Sequence, residues 1–184
     1  MKEKYSMLRI VSKSLLLAML GVLQGGCGLY QGVTDASTST ARAIFYKQVR
    51  TLHLDFSGRA AMNTNGHDMN ALSVPTLVRI YQLGDRMALE KATYESLLSH
   101  ADTALASDLL DQRVVVVKPG EGAKLSVPMN EEAQVVAVVA LFRQPDTVKN
   151  SWRLVLTRED LNPDRPRVIE LGDNSLLLRP LSRK

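Results

Sequence analysis

Three histidines, one cysteine and a few paired carboxylates are the residues of this 184-residue chain with the types to do chemistry. His53, His67 and His100 are scattered, and only His67, beside Asp68, has an acidic neighbour in sequence. That pair falls short of a metal site, which needs further histidine or cysteine ligands at regular spacing. The serines lack the G-x-S-x-G elbow of a hydrolase. Pro119-Gly-Glu-Gly122 reads as a turn, because no Lys-Ser/Thr follows it as in a phosphate loop. Glu131-Glu132 and Glu159-Asp160 flank turns, where carboxylates are usually solvated, and nothing marks the cleft a glycosidase-type pair requires. The expectation is a non-enzyme without catalytic residues, metal, cofactor or small-molecule substrate.

The cysteine reads differently. Cys27 is the only one, so no internal disulfide can form. A charged start is followed by Ser14-Leu-Leu-Leu-Ala-Met-Leu-Gly-Val-Leu23, an apolar run too short to span a bilayer and of signal-peptide length. It ends in Leu23-Gln-Gly-Gly-Cys27, which is similar to a bacterial lipobox, with Gln24 where leucine is usual. We therefore expect residues 1–26 to be a lipoprotein signal peptide and Cys27 to carry the lipid. The small and polar residues that follow, Ser37-Thr-Ser-Thr40 among them, make 27–43 an expected flexible tether. Gly28 after the cysteine, rather than Asp, implies sorting to the outer membrane. Acyl chains contribute about 0.8 kcal/mol per buried methylene, so several together anchor stably.

The net charge of +4 and pI near 9.3 would suit a nucleic-acid binder. Lys2, Lys4, Arg9 and Lys13 against Glu3 supply three of those four charges. The remainder has no strong basic footprint, and nucleic acid is set aside as a partner.

The remaining candidate is a loop, and strands must position it. Leu52, Leu54 and Phe56 alternate with Thr51, His53 and Asp55, as in a strand with one buried face. A second strand is expected over 74–83. The 58–73 connection between them is far longer than a hairpin requires, and such loops are disordered or used for binding. Met62, Asn63, Thr64, Asn65, Gly66, His67, Asp68 and Met69 form its centre. Their amides and hydroxyls can hydrogen-bond a protein partner, and Met62 and Met69 would add adaptable apolar surface.

Helical spacing of Tyr94, Leu97, Leu98, Ala101 and Leu105 predicts short helices within 85–110, broken near 99–102, with Asp85 and Thr93 as candidate N-caps. Strands are expected again over 112–118, 124–127, 134–143, 151–158, 167–171 and 175–181, separated by Gly, Pro, Asn and Asp turns. Val135-Val-Ala-Val-Val-Ala-Leu-Phe142 is apolar on both faces, which suits a central strand covered twice. The pattern is mainly β: a two-sheet β-sandwich over 44–184, with a short helical insertion after the second strand.

Taken in order, these pieces resemble the outer-membrane lipoproteins of type VI secretion, the TssJ (SciN/VasD) family. The likeness rests on the lipobox, Leu52-His-Leu54, Asn63-Thr-Asn65-Gly66, Pro75-Thr-Leu-Val-Arg-Ile-Tyr-Gln-Leu83, Tyr94-Glu-Ser-Leu-Leu98, Pro119-Gly120, Phe142-Arg143 and Trp152-Arg153. It covers about residues 45–158. The resemblance implies a transthyretin-like sandwich on the outer membrane, facing the periplasm. It also implies a non-catalytic role, tethering the periplasmic part of TssM within a TssJ-TssL-TssM complex. The loop between the first two strands would make the contact, although residues 62–68 depart from the commoner pattern, which has a proline after the second asparagine. A different class, a periplasmic ligand-binding or carrier lipoprotein unrelated to secretion, is the alternative.

Overall fold

The computed structural model describes residues 49–65 and 72–181. The expected signal peptide, Cys27 and the expected tether lie outside the described residues.

Among the described residues, eight strands form two four-stranded sheets. β1 (Thr51–Met62), β4 (Gly122–Pro128), β7 (Arg167–Asp173) and β8 (Ser175–Leu178) make the first, in the order β4-β1-β7-β8. β2 (Thr76–Leu83), β3 (Leu109–Val117), β5 (Val135–Ala140) and β6 (Arg153–Thr157) make the second, in the order β3-β2-β5-β6. The β1–β7 pair is parallel and the other five are antiparallel. The architecture is the expected mainly β sandwich with a helical insertion after the second strand.

The two sheets bury one continuous core. Leu52, Leu54 and Phe56 alternate inward on β1, and Val78 and Ile80 do so on β2. On the wet side of β1, His53 meets Ser126 Oγ at 3.1 Å. β5 is buried at all six positions, as its unbroken apolar run predicts.

Its second cover is the helical insertion: α1 (Met87–Lys91), α2 (Tyr94–Ser99) and α3 (Ala101–Ala104). Helices this short are marginal by themselves. The sheet holds them through carbonyls near their C-terminal ends. Arg79 Nη1 donates to Leu97 O at 2.6 Å, and Arg153 Nη1 donates to Leu89 O at 2.9 Å. Tyr94 donates to Phe142 O and meets Trp152 edge-on, with ring centroids 5.1 Å apart. Thr93 caps α2 in a capping box with Ser96, and the helical stretch breaks at His100 as expected. Asp85 does not cap α1. Its carboxylate instead accepts from the adjacent Arg86 N, and Asp108, from the far end of the insertion, accepts from Ala88 N at 2.9 Å.

β1 is longer than expected. It continues past Phe56 through a Ser-Gly-Arg-Ala-Ala stretch without apolar alternation, and ends with Met62 fully buried. Pairing with β7 carries it, with a register shift between Gly58 and Met62. Gly58 is required at this shift. A Cβ there would stand 2.5 Å from the Lys118 carbonyl oxygen, a backbone atom that cannot turn aside. Gly58→Ala should therefore destabilise the domain by about 1–3 kcal/mol. Urea unfolding of the two proteins checks this, and an unchanged midpoint would refute the close approach.

Candidate partner-docking face

The expected binding loop leaves the end of β1, and its first residues are neither free nor all exposed. Met62, expected to lend apolar surface to a partner, is fully buried instead. Asn63 is also buried, at 2% exposure, with φ +50°, a left-handed conformation that asparagine tolerates better than most residues. Its side chain accepts from Arg143 N at 2.7 Å and donates to Pro75 O at 3.4 Å, and its own N–H donates to Asp173 O. One residue thus joins the ends of β1 and β2, the β5–β6 loop and the β7–β8 turn.

Thr64 and Asn65 are half-buried and extend the same stitching. Thr64 Oγ1 lies 2.7 Å from Asp173 Oδ1, and Asn174 Nδ2 donates to Thr64 O at 3.2 Å. Gln144 Nε2 donates to Asn65 Oδ1 at 2.6 Å. The loop therefore springs from a braced base. Gly66, His67, Asp68 and Met69 lie outside the described residues. Sequence reasoning missed the β5–β6 loop and the β7–β8 turn as neighbours of this loop. Gly172-Asp-Asn174 signals the turn, but only the topology brings it beside Asn63.

The other chemical candidates do not converge. His100 sits at the end of α2 and is exposed. Glu131 and Glu132 are exposed, and Asp160 accepts from Thr157 N and Oγ1. Among the described residues no group of three or more His, Cys, Asp or Glu side chains is placed to hold a metal, and no helix is long and apolar enough to cross a membrane. A surface groove of about 460 Å³ lies on the first sheet, beside Asp55, Lys124 and Val168.

One charged cluster braces the outer side of that sheet. The Glu170 side chain is 8% exposed and accepts from both Arg59 Nε and Arg179 Nη2. Desolvation alone would raise its carboxyl, but hydrogen bonds and charge from the two guanidiniums outweigh that and hold it below the ordinary 4.5.

A family model described as "Type VI secretion lipoprotein, VasD, EvfM, TssJ" matches residues 50–174, the greater part of the chain. The chain belongs to the type VI secretion lipoprotein family. Solved structures agree. A chain of the structure described as "Type VI membrane complex" shares 39% identity, with TM-score 0.68, covering 72% of this chain and 100% of that one. A chain of "T6SS protein TssM C-terminal domain (869-1107) from EAEC" shares 37% identity, with TM-score 0.65 and the same coverage. TssJ1 from Pseudomonas aeruginosa, at 23% identity and TM-score 0.58, covers 72% of this chain and 98% of its own, and shows the common fold. No curated protein matches the sequence. The two-sheet sandwich of this chain is thus the fold of the type VI secretion lipoproteins.

The Glu170 cluster makes stability depend on pH with a definite sign. A carboxyl whose folded pKa lies below its unfolded value stabilises the fold above the unfolded value, and that stability is lost as pH falls through the folded value. Glu170→Gln should thus be less stable than the parent at neutral pH, and the difference should shrink between about pH 6 and pH 3. Urea midpoints across that range test it. A difference that does not change with pH would show the ion cluster to be irrelevant.

Proposed function

We propose that this chain is the outer-membrane lipoprotein subunit of a type VI secretion membrane complex. In this reading it is anchored through lipid on Cys27, faces the periplasm, and tethers the periplasmic part of TssM within a TssJ-TssL-TssM assembly. Its role is assembly, not catalysis. One observation carries the reading: identity near 40% over the full length of a chain from a structure of a type VI membrane complex. A second supports it. The chain matched in the EAEC structure is covered whole by 72% of this one, so it is much shorter than the TssM range 869–1107 named there. It is best read as a companion of TssM in that structure.

The geometry suits a tether. β1 starts at Thr51, near where the chain enters the sandwich, and runs 12 residues to the loop face. At about 3.3 Å per residue the two ends lie roughly 35–40 Å apart. An anchor on the entering segment and a partner on the loop would pull on opposite ends of one strand, which is also bonded on both sides.

Two measurements test the proposal. Cys27→Ser should abolish labelling by a fatty-acid probe and release the protein into the soluble periplasmic fraction. Undiminished label in the mutant would end the lipid assignment. Replacing 66–71 with a Gly-Ser bridge should weaken binding to the TssM periplasmic domain by at least about thirtyfold, as expected for losing hot-spot contacts. The replacement starts after Asn65 because Met62 and Asn63 hold the fold. Loop shortening changes closure entropy only slightly, so the melting temperature should stay near the parent's. Parental affinity in a folded variant would show that the loop is not the interface.

A further inference from the structure

β3 stands at one edge of the second sheet, and among the described residues it pairs with β2 alone. An open edge offers a row of unpaired N–H and C=O groups, which proteins normally blunt with shortness, charge or proline. The other three edges of the two sheets follow that rule. β6 and β8 have five and four residues, and β4 carries an exposed Lys124 and ends in Pro128. β3 does not. It runs nine residues without glycine or proline and finishes in Val114-Val-Val-Val117.

Two of those valines are turned outward. Val114 is 49% exposed and Val116 53%. They lie opposite Arg79 and Leu77 of β2, on the face where Arg79 reaches the α2 carbonyls. The helical cover thus ends short of the edge. A hydrogen-bonding edge beside an apolar strip takes an extended chain, which supplies backbone bonds and apolar side chains at alternate positions.

The charges on β3 say which chain fits. Asp111 and Arg113 flank Gln112 on one face of the strand and pair with each other at 3.2 Å. Opposite charges two residues apart make an antiparallel strand complementary to itself. A two-fold axis at Gln112 sets Asp111 of each copy against Arg113 of the other, giving four alternating charges. The same register sets Val114 against Leu110 and Val115 against Leu109. Opposite charges directly across an antiparallel ladder stabilise it, and here no like charges are opposed.

We propose that β3 is a self-association edge. A second copy of this chain pairs with it antiparallel about a two-fold axis at Gln112, joining two four-stranded sheets into one continuous sheet. The contact stands independently of the tethering function.

The test uses the full-length protein in cells, with Gln112→Cys. Gln112 Oε1 has no hydrogen-bond partner among the described residues, so the variant should melt with the parent. A residue on the axis faces its own copy at a Cα separation of roughly 4.5–5.5 Å, within disulfide reach. Mild oxidation should give a reductant-sensitive band at twice the monomer mass. The parent, whose only cysteine is Cys27, should not give it. Nor should Val148→Cys, on the β5–β6 loop and 90% exposed. Adding Arg113→Asp puts four carboxylates around the axis and should cut the cross-linked fraction at least about tenfold. If Arg113→Asp lowers the melting temperature, Val114→Lys, at an exposed position, carries that arm instead. The inference is overturned by no dimer from Gln112→Cys, by a product of another mass, or by equal yield from Val148→Cys. A yield indifferent to the added charge overturns it too. If Gln112→Cys melts below the parent, sedimentation of the detergent-solubilised parent decides: two copies per particle uphold the inference and one overturns it.

Discussion

The fold depends on a strand that has no wet side. All six residues of β5 are apolar and buried, so the sheet that contains it must be covered twice. The first sheet covers one face. The insertion between β2 and β3 covers the other, and it does so with helices of four to six residues that could not persist alone. The solution is to let the sheet complete the helices. Arg79 from β2 and Arg153 from β6 reach up to carbonyls at helix ends, where charge-assisted hydrogen bonds are strong and cations oppose the helix dipole. Trp152 and Tyr94 fill the seam beside Arg153, whose guanidinium lies 5.1 Å from the indole centroid. Cover and covered strand are thus mutually dependent, which fits a single cooperative unit from Val49 onward.

Similar buried polar bracing fixes both ends of the sandwich. At the end where the chain enters, Gln82 is nearly inaccessible, yet its amide is fully engaged. It donates to Asp111 Oδ2 and Pro128 O and accepts from Asn130 N. Arg158 gathers the carbonyls of Ala133, Asn130 and Glu131. At the loop end, Asn63 does the same for four segments. A buried polar group with its partners in place specifies one geometry, because each alternative leaves a donor or acceptor unpaired at about 1–3 kcal/mol. The sandwich is therefore stiff along the axis on which the proposed tether would carry load.

Much of this was legible in the sequence, for a physical reason. β5, the alternation on β1, the Thr93 cap and the turn residues are local signals, set by period and by backbone preference within a few residues. The lost details are the nonlocal ones. The far half of β1 has no apolar alternation to announce it, and it is a strand because β7 lies beside it. Asp85 looked like a cap because it precedes a helix, whereas Asp108 takes that role from 20 residues away. Met62 looked like loop surface because its neighbours are small and polar, but the register shift after Gly58 turns it into the core. The Arg59–Glu170–Arg179 cluster has no sequence signature, since its members meet only through sheet pairing. For the docking face, the loop itself could be found from its length, whereas its bracing neighbours could not.

This bracing also bears on what the loop end can do. A catalytic group needs a polar atom free to exchange protons or attack, in surroundings that shift its pKa. Among the described residues at this end several polar groups serve structure: Thr64 with Asp173, Asn65 with Gln144, Asn63 with Arg143 and Pro75. Recruiting any of them to a reaction would loosen the frame. Among the described residues the frame also holds two large apolar side chains out toward solvent, Leu72 on one loop and Val148 on the other, with Thr147, Lys149 and Asn150 exposed beside Val148. Such an end can recognise by shape and exclusion of water, and can keep that shape while its partner pulls. Those are the demands of the tether proposed above.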